Sequence, residues 1–184
     1  MAEHKNPWKT LSGEKKYENQ WIDVTEYQVI NPSGGQGIYG KVSFKSKAIA
    51  VLPIDEEGYT WLVGQYRYTL EEYSWEIPMG AVPFDESTET GALRELNEET
   101  GLHAEKLEHL GRIHTSNSVT DEVGHVFIAT GLSMGETNFD DTEDITVKRV
   151  PFAEALEMVM NGDITDSISQ MAILKYARIL DQNG

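Results

Sequence analysis

The feature that most constrains this chain is a run of carboxylates set on one side of a helix. Residues 87–100 read as helical: Ser87 or Asp85 can supply the N-cap oxygen, Glu89 stands in the first turn, and Gly101 follows as a left-handed terminator. At about 100° per residue, Glu95 and Glu99 lie about 40° apart around the axis, with Glu98 about 60° to the other side of Glu95. Glu86 stands at the helix entry. Like charges at these spacings cost about 0.2–0.5 kcal/mol per pair, and Arg94 cannot neutralise them all. A hard divalent cation held by oxygen ligands resolves the repulsion. Glutamate is also a good helix former, so an acidic face left to water is the other outcome these residues alone allow.

The pattern around this helix predicts a sheet with helices on its faces, an α+β or α/β sandwich. Strands are expected at 48–53, 59–66, 73–77, 104–113, 123–130 and 145–150, with a loop from Gly80 to Glu86 and an acidic loop from Gly131 to Asp144. A helix begins after Pro151 with Phe152, Leu156, Val159 and Met160 as its apolar stripe, and Gly162 closes it. A last helix, 167–180, turns Ile168, Met171, Ile173 or Leu174, and Ile179 inward. Upstream, residues 14–46 read as strands. Trp21, Asp23 and Thr25 alternate with Ile22, Val24 and Glu26, and the turn cluster at 31–37 leads to a return strand at 38–44. An isolated hairpin is marginal in water, so this segment is expected to pack on its own domain or on another subunit.

Composition limits the partners. The 184 residues carry a formal charge of −16, which repels phosphate backbones and anionic lipid, so neither nucleic acid nor membrane is expected as a partner. An anionic substrate then needs a local reversal of the field, which bound divalent cations supply. There is no cysteine, hence no disulfide framework and no thiol chemistry, in keeping with a cytoplasmic protein. The polar segment 1–12 lacks the apolar core of a secretory signal, and the apolar run 48–54 is too short to span a bilayer.

From Gly80 the spacing runs five residues to Glu86, seven to Arg94-Glu95-Leu96, one to Glu98-Glu99 and one to Gly101-Leu102. This is the Nudix box without gap or substitution, and the sequence resembles the Nudix hydrolases. Val63-Gly64-Gln65-Tyr66-Arg67 and Trp75-Glu76-Ile77-Pro78-Met79-Gly80 look like the ADP-ribose and nucleotide-sugar pyrophosphatase branch. The resemblance implies an α/β/α Nudix sandwich over residues 47–184. It also implies an N-terminal antiparallel β domain, residues 1–46, exchanged across a homodimer.

The same resemblance assigns roles. Glu95 and Glu99 are expected as direct metal ligands, Glu98 as a direct or water-mediated one, and the carbonyl of Met79 or Gly80 completes the site. Arg94 pairs with Glu86 or a neighbouring carboxylate. Two or three Mg²⁺ ions per site are implied, with Mn²⁺ as an alternative; they bridge pyrophosphate oxygens and acidify the attacking water. The general base is expected from the acidic loop, Glu143 first and Asp141 next, as base or extra ligand, beside Asp140 and Asp144.

Substrate contacts are drawn from residue chemistry. Arg67 is a candidate phosphate ligand or an ion-pair partner; Glu76 reaches the site or pairs with Arg67. Glu122 is a candidate for a sugar hydroxyl, across the dimer. Trp21, Tyr27, Tyr66 and Trp75 are candidates for stacking on a base, or else core aromatics. His114 and His125 receive no role. The ADP-ribose group has a proline sixteen residues beyond the closing glycine of the box. Asn117 stands there, which leaves room for a broader nucleotide-sugar range that includes GDP-mannose.

The expected reaction is hydrolysis of a small nucleotide sugar to a nucleoside monophosphate and a sugar phosphate. The alternatives are another Nudix substrate (a dinucleoside polyphosphate, a coenzyme A derivative or a damaged triphosphate) and a non-catalytic nucleotide-sugar sensor. The complete carboxylate set argues against the sensor.

Overall fold

The computed structural model describes residues 5–135 and 144–183. It divides into two compact units, one of Met1–Ser46 with Ser116–Glu122, the other of Lys47–Thr115 with Val123–Gly184.

The first unit is a three-stranded antiparallel sheet, β1 (Lys9–Glu18), β2 (Ile22–Ile30) and β3 (Gln36–Phe44), in the order β1-β2-β3. Both turns are built by asparagine. Asn19 Oδ1 accepts from the amides of Trp21 and Ile22, each at 2.8 Å, and Asn31 Oδ1 accepts from those of Ser33 and Gly35 at 3.0 and 2.9 Å. Such side-chain acceptors replace a backbone turn bond. The first strand starts at Lys9, earlier than the strand pattern suggests. It is exposed along its whole length, so it shows no apolar alternation and is held by its ladder to β2. Residues 116–122 run beside β3. Val42 donates to the Val119 carbonyl at 2.9 Å and accepts from Asp121 N–H at 3.2 Å, while Asp121 Oδ1 accepts from Phe44 N–H at 3.0 Å.

The second unit holds two sheets and three helices. One sheet joins β4 (Ser46–Pro53), β7 (Met79–Pro83), β8 (Leu102–Ile113) and β9 (Gly124–Met134) in the order β7-β4-β9-β8. The other joins β5 (Tyr59–Arg67), β6 (Glu72–Glu76) and β10 (Thr146–Pro151) in the order β10-β5-β6. β4 and β9 pair in parallel, and period-two alternation divides their side chains between two cores. Ala50, Leu52, Val126 and Ile128 face a core shared with Leu62, Val150, α2 (Phe152–Asn161) and α3 (Ser167–Asn183). Ile49, Val51, Phe127 and Ala129 face the opposite way, onto Val82 and onto Ala92 and Leu96 of α1 (Thr88–Thr100). This is the expected sandwich of sheets between helices.

Several expectations are corrected. Residues 80–83, read as the start of a loop from Gly80 to Glu86, belong instead to strand β7, a five-residue element whose Gly80 and Pro83 hide it. β9 runs on to Met134, so the acidic loop begins later than Gly131. Met160 is 71% exposed, and Ala155 takes the buried place on α2 beside Phe152 and Val159. On α3 it is Ile173, with Ile168 and Ala172, that is buried, while Leu174 faces out. Among the described residues no helix is long and apolar enough to cross a membrane.

Candidate active site

The site is assembled by the ends of α1 and the strand β7 beside it. Ser87 caps α1, its Oγ accepting the Thr90 amide at 3.1 Å. Gly101 ends it at φ 72°, its N–H on the Asn97 carbonyl at 2.8 Å. These local signals place the glutamates in register. Glu99 is 7% exposed, and its Oε2 accepts the Met79 N–H at 2.9 Å. The buried carboxylate is thereby tied to the first residue of β7. Glu95 lies over Gly80, where a Cβ would overlap its carboxyl group.

Arg94 holds the other carboxylates together. Its Nη1 donates to Glu95 Oε1 and Glu98 Oε2, both at 2.8 Å. Nη2 lies 3.7 Å from Glu86 Oε2 and donates to the Ala81 carbonyl at 3.4 Å. Burial works against the charge of this guanidinium, but the Glu95 carboxylate and the hydrogen bonds to Glu95 and Glu98 hold its pKa above the ordinary value. The expected pairing of Arg94 with Glu86 is present as its longest contact; the tighter ones go to Glu95 and Glu98.

Divalent-metal dependence is a test these residues can face. The donors are carboxylate and carbonyl oxygens, the set that suits Mg²⁺ or Mn²⁺. Among the described residues no three His, Cys, Asp or Glu side chains are grouped to cage an ion. That suits Mg²⁺ well enough, because this ion keeps waters and is usually held by one or two carboxylates plus substrate phosphates. The donor chemistry fits.

Arg67 and Glu76, on neighbouring strands, form a two-pronged pair: Arg67 Nε donates to Oε1 at 2.8 Å and Nη2 bonds Oε2. Glu76 is 4% exposed. The hydrogen bond to Glu76 raises the Arg67 pKa against the pull of burial, with the charges of Glu76, Asp166 and Glu99 adding to it. Glu76 thus takes the second of its two expected roles. Trp75 is half-buried against the core, with Lys148 Nζ 5.3 Å from its ring centroid. Tyr66 is exposed.

Trp21, Tyr27 and Glu122 belong to the first unit. Tyr27 lines a cavity of about 390 Å³ there with Trp8, Tyr39 and Lys41, whereas Trp21 is exposed and not part of its lining. Glu143 and Asp141, and Asp140 with them, lie outside the described residues; Asp144 is exposed. The His125 ring lies 5.8 Å from that of His109, tilted at 45°, and burial, then His109, push the His125 pKa down.

Some supports had no sequence signal. The Met79 amide orients Glu99, the Ala81 carbonyl steadies Arg94, and buried Ser169 accepts the Ile77 N–H at 3.0 Å just before β7. Each depends on tertiary proximity of residues far apart in the chain.

Within the α/β sandwich, α1 thus presents an arginine-braced row of carboxylates against the glycine-bearing strand β7. The NUDIX domain model matches residues 45–168, and a nucleoside diphosphate sugar hydrolase N-terminal domain model matches residues 8–42. An ADP-ribose pyrophosphatase of Bacillus subtilis (strain 168) is 35% identical over 90% of this chain and 90% of its own length. An ADP-ribose pyrophosphatase of Mycobacterium tuberculosis is 33% identical over 95% of this chain and 84% of its own. The chain belongs to the Nudix family. A crystal structure of an ADP compounds hydrolase superposes with a TM-score of 0.87 at 20% identity, covering 100% of this chain and 99% of that one, which shows the shared fold. Nudix hydrolases are generally dependent on divalent metal.

Proposed function

We propose that this chain hydrolyses the pyrophosphate bond of ADP-ribose or a related nucleoside diphosphate sugar, releasing a nucleoside monophosphate and a sugar phosphate. The observation that carries the reading is the intact carboxylate face of α1, with Glu95 and Glu98 braced by Arg94 and Glu99 anchored on Met79. The ADP-ribose pyrophosphatases among its relatives and the match of the N-terminal domain to a nucleoside diphosphate sugar hydrolase support the substrate class.

Glu95, Glu99 and Glu98, with the carbonyl of Met79 or Gly80, would hold two or three Mg²⁺ ions, Mn²⁺ being the substitute. When bound, these ions would supply charge neutralisation on the pyrophosphate and lower the pKa of the attacking water. The Met79 amide keeps Glu99 turned to its task, and Arg94 keeps Glu95 and Glu98 in register through charge-assisted hydrogen bonds. Glu143, with Asp141 as the second candidate, would accept the proton of the attacking water. Arg67, oriented by its fork on Glu76, would face a substrate phosphate. Trp21 and Tyr27 would contribute to base recognition through the N-terminal β domain, residues 1–46, exchanged in a homodimer, and Glu122 would meet a sugar hydroxyl across that dimer. Asn117 favours a range wide enough to include GDP-mannose.

The test is a substrate panel with Mg²⁺ in ¹⁸O-labelled water: ADP-ribose, GDP-mannose, a dinucleoside polyphosphate and a coenzyme A derivative. ADP-ribose or a nucleotide sugar should turn over fastest, with label in one product only. Glu99→Gln should cost roughly two orders of magnitude or more in kcat, about 3 kcal/mol of lost transition-state stabilisation, and leave the fold intact. Unchanged turnover in that variant sinks the assignment.

A further inference from the structure

Lys47 is the second residue of β4 and lies 39 residues before Glu86, in the turn it touches. Its Nζ donates to the Glu86 carbonyl at 2.5 Å and lies 3.5 Å from the Phe84 carbonyl. Both carbonyls belong to the turn that delivers Glu86 and the Ser87 cap to α1. The helix cannot serve them, since its acceptor series begins at Ser87, whose carbonyl takes the Gly91 N–H at 3.1 Å. Within the turn, Glu86 N–H donates back to Pro83 at 3.2 Å. The Glu86 contact is half-buried and the Phe84 one exposed; a carbonyl withdrawn from water without a helix partner needs a donor from elsewhere, and an ammonium carries three.

The side chain of Glu86 is loosely held by comparison. It stands 3.7 Å from Arg94 Nη2, against 2.8 Å for the Arg94 contacts to Glu95 and Glu98. Glu86 is therefore placed more by its backbone than by its carboxylate, and Lys47 grips that backbone from another element. Sites keep their geometry only when a supporting shell locks it.

We propose that Lys47 is a positioning residue of this site: by pinning the Phe84–Glu86 turn it sets where the Glu86 carboxylate stands relative to Arg94, and so tunes divalent-cation affinity and turnover. The inference rests on the reading of a metal-dependent Nudix pyrophosphatase given above.

The experiment compares Lys47→Met, Lys47→Arg, Glu86→Gln and the Lys47→Met/Glu86→Gln double variant in the full chain. Mn²⁺ binding is measured without substrate, by electron paramagnetic resonance of the free ion, alongside kcat and KM for ADP-ribose in Mg²⁺ and thermal melts. Lys47→Met should weaken Mn²⁺ binding about 10-fold and lower kcat by a similar factor with KM little changed. Lys47→Arg should recover most of both. On the Glu86→Gln background, Lys47→Met should add less than about 2-fold, because the two act through one group. Wild-type Mn²⁺ affinity and kcat in Lys47→Met, whatever its melting temperature, overturn the proposal, as does a full second loss in the double variant. If Lys47→Met does not fold, Lys47→Gln takes its place with the same expected ranking. A wild-type protein that binds Mn²⁺ but hydrolyses no nucleotide sugar removes the substrate reading alone, and the Mn²⁺ series still decides the role of Lys47. A wild-type protein that binds no Mn²⁺ overturns both.

Discussion

Gly80 is a glycine for reasons of space. A Cβ there would overlap the Glu95 carboxyl group, and the backbone does not have a positive φ that would itself demand glycine. Because the obstructing atoms are the far end of a flexible side chain, Gly80→Ala should leave the backbone in place and push the Glu95 carboxylate aside. The expected result is a change in unfolding free energy below about 1 kcal/mol, typical of a substitution without core strain. Turnover should fall about 100-fold, the cost of moving a catalytic group by about 1 Å. Denaturant melts and steady-state rates measured on the same preparation separate the two effects; a large stability loss at full activity per folded molecule would reverse the assignment. At this scale the sequence showed which residue types gather but not what holds each one. Glu95, Glu98, Glu99 and Arg94 fall together because helical geometry is local. The Met79 amide on Glu99 and the Lys47 ammonium on Glu86 join residues 20 and 39 positions apart, and no local pattern marks such pairs.

At the scale of elements, α1 is the most legible part of the chain, and its cap, terminator and acidic face are all written within sixteen consecutive residues, 86–101. β1 was legible only from residue 14 onward and β7 not as a strand at all, for different reasons. The first is exposed on both faces, Leu11 and Tyr17 included, and exists through its ladder to β2; the second is short, contains glycine and proline, and is defined by its place beside β4. The packing of α1 on β7 has its own close contact at Gly91, where a Cβ would overlap Val82 Cγ2. Val82 is fully buried, and its branched side chain has few alternative rotamers. Unlike Glu95 at Gly80, it cannot swing away, so Gly91→Ala should force α1 and β7 apart. Overpacking of this kind costs about 1–3 kcal/mol, somewhat reduced by the better helix propensity of alanine. Equilibrium unfolding in urea should show a lower midpoint at an unchanged m-value; a midpoint at or above wild type would mean that the helix and strand have room to spare.

For the whole molecule the governing quantity is charge. Thirty-one acidic residues against fifteen basic ones give −16, while the proposed substrate is itself an anionic diphosphate. The family fold gives this chain a site whose protein groups are mainly carboxylates, so long-range repulsion opposes substrate approach until cations intervene. Screening decides how much of that repulsion is felt: the Debye length is about 30 Å at 0.01 M salt and about 8 Å at 0.15 M. At the lower salt an incoming diphosphate senses most of the acidic surface; at the higher it senses only the groups near the site, Arg67 and Arg94 among them. Accordingly kcat/KM should rise with KCl at constant free Mg²⁺, by roughly 2- to 10-fold over that range, at the low end of electrostatic effects on association. The change should reside in KM, since the chemical step takes place after the long-range field has been crossed. Initial rates across a KCl series, with free Mg²⁺ held fixed by calculation of its complexes, measure this directly. A steady fall in kcat/KM with salt would mean instead that local cations attract the substrate more strongly than the surface repels it. That result would shift attention from the overall charge to Arg67 and whatever metal the carboxylates of α1 retain.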